Sequence, residues 1–409
     1  MRRKIYLKWN YIIFCMIFIF TCSIKTVAAA DEKPLELYAA SAVLMDGESG
    51  RILYEKNGTE VLPNASTTKI MTCILALEKG NLNDLVTVSS YAASMPDVQL
   101  NIKGGEQYRL EDLLYSLMLA SHNDSAVAVA EYIGGTIDVF AGMMNAKAKE
   151  IGCRNTFFIT PNGLDATKTV VGEDGKEVLK NHGTTAEDLA KIMRYCVLQS
   201  PEKDRFCQIT QTQNHTFSNK VGNGARDGNR SFTCVNHNAF LQMWNGAISG
   251  KTGFTGKAGY CYIGACNTKN GVLIGALLAS GWPPAKTRKW KDMRTLLQYG
   301  ESCFEPFEQP PENWESIVMV KNGKQKSCRV IAKEKTGHTI LKGKQEVITR
   351  IIYLEQSMQA PVQKGQKIGE ISYQLNGTKW YQIPIVTNEK IEKMTIADDM
   401  NNILQKWLL

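Results

Sequence analysis

Hydrophobic and polar positions along this chain follow two periods, and the switches between them predict the elements. Residues 35–56 read as two strands around a turn. An apolar run covers residues 40–45, Asp46-Gly47-Glu48-Ser49-Gly50 is turn chemistry, and Arg51-Ile52-Leu53-Tyr54 returns. Residues 70–77 form an apolar run of helical type that closes on Glu78-Lys79-Gly80, with Gly80 expected as the left-handed glycine just past a helix. Residues 87–105 are polar and irregular. Residues 110–120 are helical by period and stop at Ser121-His122-Asn123. Asp124 is then expected to cap a second apolar helix over 125–133, and a third runs from about 139 to 151. Thr184-Thr185-Ala186-Glu187 opens a helix that reaches residue 197, and residues 199–236 read as a polar, glycine-rich loop. Residues 247–254, 259–266 and 272–280 are of strand type, and 288–299 form a helix ending at Gly300. Strands at both ends of a helical insertion imply an α/β sheet layer beside a helical lobe.

After Phe304 the texture changes. Glu305-Pro306-Phe307-Glu308-Gln309-Pro310-Pro311 reads as a linker. Short strand-like runs follow at 317–320, 340–341, 347–353, 368–373 and 380–385, separated by Asn-Gly and Lys-Gly turns, so residues 305–390 are expected to form a small all-β domain. Residues 391–409 read as a C-terminal amphipathic helix. Ile396, Met400, Ile403, Leu404, Trp407 and Leu408 share one face, with Lys393, Asp398, Asp399, Asn402 and Gln405 largely opposite. Such a helix suits a membrane surface, although its acids offset its lysines. The other reading docks it on the β domain.

Composition sharpens this picture mainly at the N-terminus. The chain of 409 residues carries a formal charge of +8. Five of its basic residues (Arg2, Arg3, Lys4, Lys8, Lys25) and no acid lie in residues 1–30; without them the balance is 43 basic against 40 acidic residues. Those thirty residues have the plan of a secretory signal: a charged start, an apolar stretch over 11–22 and the small-residue site Ala28-Ala29-Ala30. The remainder is expected to work outside the cytoplasm, at the outer face of the membrane or in the cell wall. No basic patch with interleaved aromatics occurs, so nucleic acid is not expected as a partner. Eleven cysteines fall to nine after the leader, with no Cys-x-x-Cys pair. They read mostly as unpaired core residues, a disulfide from Cys261 to another strand remaining open. The five histidines are scattered, so no metal or cofactor is expected.

The candidate chemistry lies in three short motifs. Ser66-x-x-Lys69 opens an apolar helix, where positions i and i+3 share a face. A serine hydroxyl is a weak nucleophile until a base takes its proton, and a desolvated lysine can be that base. The pattern alone is weak, since Ser200-Pro201-Glu202-Lys203 repeats it in an apparent loop. Ser121-x-Asn123 sits between two buried-looking helices. Lys251-Thr252-Gly253 lies on a strand and recurs as Lys335-Thr336-Gly337 in the β-rich tail, where it reads as a plain turn. Order, spacing and context of the three together are specific.

With these motifs, and with Pro161-Asn162-Gly163-Leu164, Thr184-Thr185-Ala186-Glu187-Asp188-Leu189 and Ala258-Gly259-Tyr260 beside them, the chain resembles the penicillin-recognising serine acyl-transferases. More closely it is similar to low-molecular-mass penicillin-binding proteins that are serine-type D-alanyl-D-alanine carboxypeptidases. The resemblance implies a serine β-lactamase/penicillin-binding transpeptidase-like domain over 31–304, followed by the β domain and helix. Ser66 would be the nucleophile, Lys69 its base, and Ser121 a bridge from Lys69 to the leaving nitrogen. Asn123 would orient Lys69 or the substrate amide. Lys251 and Thr252 would hold the terminal carboxylate, with Arg288 as a further carboxylate ligand, and Gly253 would let the substrate backbone approach. The backbone N–H groups of Ser66 and Phe254 would form the oxyanion hole. The implied partners are peptidoglycan stem peptides ending in D-Ala-D-Ala and, as inhibitors, β-lactams. A β-lactamase shares the motifs but needs a water-activating Glu, commonly in a Glu-x-x-Leu-Asn loop; between Ser121 and Lys251 the chain offers Asn162-Gly163-Leu164-Asp165 instead. A transpeptidase, or a sensor or scaffold that acylates without turnover, are the other readings.

Overall fold

Two distant parts of the chain meet in one sheet. In this computed structural model, which describes residues 34–172, 175–222 and 226–407, the strands Ser41–Asp46 and Ile52–Lys56 join Ala247–Thr255, Gly259–Thr268 and Gly271–Leu278. The antiparallel order runs Ile52–Lys56, Ser41–Asp46, Gly271–Leu278, Gly259–Thr268, Ala247–Thr255. Ser41–Asp46 is buried at every position, because it lies inside the sheet with both faces covered. Val43 and Met45 face the helical lobe's core. Leu44 turns to the opposite face, where the helix Arg288–Cys303 packs. The motif-bearing strand Ala247–Thr255 is left at the edge, against the nucleophile's turn.

Two predicted helix-ending glycines act differently. Gly80 has φ −102° and is extended, not left-handed; a Cβ there would stand 2.5 Å from Leu110 Cδ2. Gly300 lies within its helix, which runs on to Cys303, and a Cβ would stand 2.6 Å from Leu273 Cδ1. Both are small so that neighbouring elements can approach.

The expected loop over 199–236 is largely ordered. A helix, Lys203–Gln211, buries Phe206 and Ile209. The hairpin Asn214–Val221 and Arg226–Val235 extends a four-stranded sheet with Leu85–Thr87 and Gln107–Arg109. Its inward side chains are few, Phe217 and Phe232 packing on Tyr108, so polar outward positions hid the alternation. The expected linker is also a strand: Phe304–Gln309 pairs with His338–Gly343, Pro306 opposite Leu341. A two-stranded ribbon has only edges, and an edge strand tolerates a residue without an N–H.

The β domain is a six-stranded sheet in the order Ile348–Leu354, Lys367–Leu375, Thr378–Thr387, Ser327–Glu334, Glu312–Lys321, Ser357–Gln359. It closes on Val320, Val330, Ile371, Ile385 and Ile391. Ile391 is thus part of this core and pairs with Val362 rather than starting a helix. The last helix is Ile396–Trp407. Its Ile396 and Trp407 are 81% and 86% exposed, and Met400, Ile403 and Leu404 are exposed too. The apolar face therefore does not dock on the β domain; Leu408 lies outside the described residues, as do residues 1–30 with the expected signal. Among the described residues no single helix is long and apolar enough to cross a membrane. The β domain is tied to the sheet through the turn after Ser41–Asp46. Arg51 forms a two-pronged pair with Glu346 at 2.7 and 2.5 Å and donates to the Leu341 carbonyl at 2.7 Å, while Asp46 accepts from Leu341 N–H at 3.0 Å. The nine described cysteines are all free thiols, Cys261 included.

Candidate active site

The turn that carries Ser66 is shaped by Asn64. Its amide nitrogen donates to Thr67 Oγ1 and Thr68 Oγ1 at 3.1 and 2.9 Å, and its carbonyl accepts from Thr67 N–H at 3.2 Å. The result is one 3₁₀ turn, Ala65–Thr68, before the α-helix Lys69–Lys79. In a 3₁₀ turn residues i and i+3 eclipse, and Lys69 Nζ lies 2.8 Å from Ser66 Oγ.

Lys69 is fully buried and has two further oxygen neighbours: Asn123 Oδ1 at 2.8 Å and the Asn162 carbonyl at 2.7 Å. Burial pushes its pKa well below the usual lysine value; the charge of Lys251 adds to this and Asp124 opposes it. A neutral amine has two N–H groups and one lone pair. The two amide oxygens can only accept, so they take the two N–H groups. The lone pair is left facing Ser66, the one neighbour with a proton of its own. This arrangement can remove a proton from Ser66 Oγ.

The Asn162 carbonyl is a site group that sequence reasoning did not assign, although the Pro161-Asn162-Gly163-Leu164 turn was legible. Gly163 has φ +84°, and a Cβ there would stand 1.9 Å from the Ala65 carbonyl oxygen. Only glycine lets this loop reach the nucleophile's turn. His182 clips the two together. Its Nδ1 accepts from the Ile159 and Thr160 amides at 3.0 and 3.2 Å, so Nε2 carries the proton, 2.9 Å from Thr68 Oγ1.

The second motif follows a change of helical pitch. The α-helix Leu110–Tyr115 widens into a π-turn, Ser116–Ala120, and Ser121 leaves it in the left-handed region at φ +69°. For a non-glycine residue this costs roughly 1 kcal/mol. Ser121 Oγ accepts from Lys251 Nζ at 2.9 Å. The expected partner was Lys69, whose three oxygens are those named above; Ser121 is paired with the other lysine. Asn123 donates to the Pro96 and Asp97 carbonyls at 3.0 and 3.1 Å, which fixes its Oδ1 toward Lys69. Asp124 is not the helix cap. The helix begins at Asn123, and the buried Asp124 carboxylate accepts from the Leu100 and Ile102 amides, holding the 96–102 loop over the site. Lys251 is buried and its pKa is pushed down to about 7 by desolvation. On the same strand, a Cβ at Gly253 would stand 3.1 Å from Ser66 N.

Residues 26–280 match the family described as D-alanyl-D-alanine carboxypeptidase. The chain belongs to this family. Residues 312–393 match the C-terminal domain of penicillin-binding protein 5. Among curated relatives, the D-alanyl-D-alanine carboxypeptidase DacF of Bacillus subtilis is 30% identical over 377 residues, 90% of each chain. DacC of Escherichia coli is 31% identical over 385 residues, covering 90% of this chain and 88% of its own. The crystal structure of penicillin-binding protein 5 from Haemophilus influenzae aligns with a TM-score of 0.69 at 26% identity, over 88% of this chain and all of that one.

In this carboxypeptidase a cleft of about 400 Å³ opens beside Ser66, Ser121, Thr252, Gly253 and Phe254. Arg288, expected as a carboxylate ligand, is not among the residues that line it. Its guanidinium lies 4.6 Å from the Tyr38 ring centre. The cleft is lined instead by Lys286, Thr287, Lys289 and Trp290. Lys289 is buried, donates to the Lys286 carbonyl at 2.6 Å, and sits 4.7 and 4.6 Å from the Tyr260 and Trp290 ring centres. Burial first, then Lys286, lowers its pKa to about 8. Arg288 was expected from the family resemblance; its neighbour Lys289, one residue on, is the one whose helix phase faces the cleft.

Proposed function

We propose that this carboxypeptidase removes the terminal D-alanine from peptidoglycan stem peptides through an acyl-enzyme on Ser66. The single observation that carries the reading is the oxygen set around Lys69, which leaves a buried amine's lone pair on Ser66 Oγ. Ser66 Oγ attacks the carbonyl of the penultimate D-alanine while its proton passes to Lys69. The tetrahedral oxyanion is held by the N–H groups of Ser66 and Phe254; losing one such donor typically costs roughly 10²–10³ in rate. The peptide C–N bond then breaks, and the leaving amine receives its proton through Ser121 and Lys251. Water then attacks the ester, its proton restoring Lys251 by way of Ser121, while Lys69 gives its proton back to Ser66 Oγ as the acyl C–O bond breaks. Lys251 and Thr252 bind the substrate's terminal carboxylate, with Lys289 in the role first assigned to Arg288. β-Lactams acylate the same serine.

Residues 1–30 serve as an export signal, 31–304 as the peptidase domain and 305–390 as the β domain. The exposed apolar face of Ile396–Trp407 rests on a membrane surface.

Mass spectrometry of the chain from residue 31, incubated with a diacyl-D-Ala-D-Ala peptide and separately with penicillin, tests the chemistry. Loss of one alanine and a slowly hydrolysed adduct on Ser66 are expected. Ser66→Ala should lower turnover by a factor on the order of 10³ or more, whereas Ser200→Ala should leave it intact. Rapid penicillin hydrolysis without D-alanine release would identify a β-lactamase instead. Removing residues 396–409 should release the protein from vesicles at full activity; undiminished vesicle binding would refute the membrane role.

A further inference from the structure

Ser121 faces Lys251 from a left-handed residue, and His122 shows what holds that turn. His122 precedes the helix Asn123–Gly134 but its side chain makes no capping bond. Its ring goes to the preceding turn: Nδ1 lies 2.8 Å from Ser116 Oγ, and that hydroxyl lies 2.7 Å from Ser125 Oγ. Cys234 Sγ stands 4.0 Å from the same nitrogen. Ser116 and Ser125 are completely buried. Ser116 is the first residue of the π-turn and Ser125 lies within the next helix. The Ser116–His122 contact therefore closes a loop around the segment that contains Ser121, and Ser125 anchors it to the next helix. The residues on either side of His122 make the contacts that matter, Ser121 Oγ to Lys251 and Asn123 Oδ1 to Lys69. Burial keeps the imidazole neutral, its pKa pushed down to about 4; Lys69, Lys251 and His237 also oppose its protonation and Asp124 favours it.

We propose that His122 is a positioning residue: through Ser116 and Ser125 it fixes the left-handed turn that aims Ser121 at Lys251 and Asn123 at Lys69. The proposal rests on the reading of Ser66 as the nucleophile.

The test follows acylation of the chain from residue 31 by a fluorescent penicillin, separating the non-covalent dissociation constant from the acylation rate constant. His122→Phe keeps a ring and removes the nitrogen; Ser116→Ala removes one hydroxyl. Each is expected to slow acylation roughly 10- to 100-fold, as for a catalytic group misplaced by about 1 Å, with little change in the dissociation constant. His122→Asn, whose amide reaches the Nδ1 position, should restore most of the rate. The double variant His122→Phe/Ser116→Ala should be no slower than the slower single, because both remove one bond. Wild-type acylation in both single variants would overturn the proposal. So would losses that multiply in the double variant, or a His122→Asn variant as slow as His122→Phe. If His122→Phe does not fold, Ser116→Ala and His122→Asn decide the matter. Absence of an adduct on the unmutated chain would instead fail the Ser66 reading itself.

Discussion

The chain contains Lys-Thr-Gly twice, and the two copies have opposite fates. Lys251 is 2% exposed on the edge strand Ala247–Thr255, against Ser121. Lys335 is exposed in the turn between Ser327–Glu334 and His338–Gly343. The same contrast holds for Ser-x-x-Lys. Lys69 is buried among three oxygens, while Lys203 is exposed at the start of its helix. Desolvation is what separates the pairs. Taking an ammonium out of water destabilises its charged form and can bring a lysine within reach of neutral pH. At the surface the same residue remains a solvated cation.

The largest expected effect that sharpens this contrast is Lys251→Ala. Losing the buried lysine proposed to bind the substrate carboxylate, which also contacts Ser121, should reduce kcat/KM for a D-Ala-D-Ala peptide by roughly 10²–10³, comparable to the loss of other transition-state contacts. Lys335→Ala, at the small end, should leave kcat/KM unchanged; equal damage from the two substitutions would break the comparison. Between them lies the pH dependence. In the proposed mechanism Lys69 is the base and must be unprotonated, so its depressed pKa should set the acid limb, with kcat/KM falling as pH drops below it. Lys251 must be protonated to hold a carboxylate, so its pKa of about 7 sets the alkaline limb of the free enzyme, with activity falling as pH rises through it. Lys251→Arg keeps its charge at every accessible pH. It should therefore flatten the alkaline limb and leave the acid limb in place. An alkaline limb that survives this change would assign it elsewhere, with Lys289 the next group to test.

The central strands and the nucleophile's helix were legible because burial on both faces writes continuous apolar runs, as in Ser41–Asp46. Ser66, Lys69, Asn123 and Lys251 were legible because side-chain chemistry at fixed spacing is a property of the sequence. The hairpin after Gln211 was not, since Phe217, Phe232 and Cys234 carry nearly all of its inward packing amid polar residues. The strand Phe304–Gln309 was hidden by Pro306 and the prolines just after it, because pairing in a ribbon depends on a partner 29 to 39 residues away. Arg288 was named from the family resemblance, and Lys289 on the cleft side was not foreseen, because a one-residue step on a helix changes the face and nothing local reveals which face meets the cleft. The pairing of Ser121 with Lys251 rather than Lys69 was not legible, because its backbone handedness follows the π-turn before it, which leaves no compositional trace.

The third oxygen on Lys69 belongs to the main chain of Asn162. No side-chain exchange at that residue deletes it, so the group is invisible to alanine scanning and beyond the reach of a single-codon change at its own position. The vulnerability is displaced one residue along, to Gly163, where any side chain would collide with the Ala65 carbonyl. Selection for altered penicillin sensitivity at this loop would therefore register most sharply at the glycine, while a change at Asn162 would act only through its buried side chain, which accepts from the Leu164 N–H at 3.1 Å and helps hold the turn.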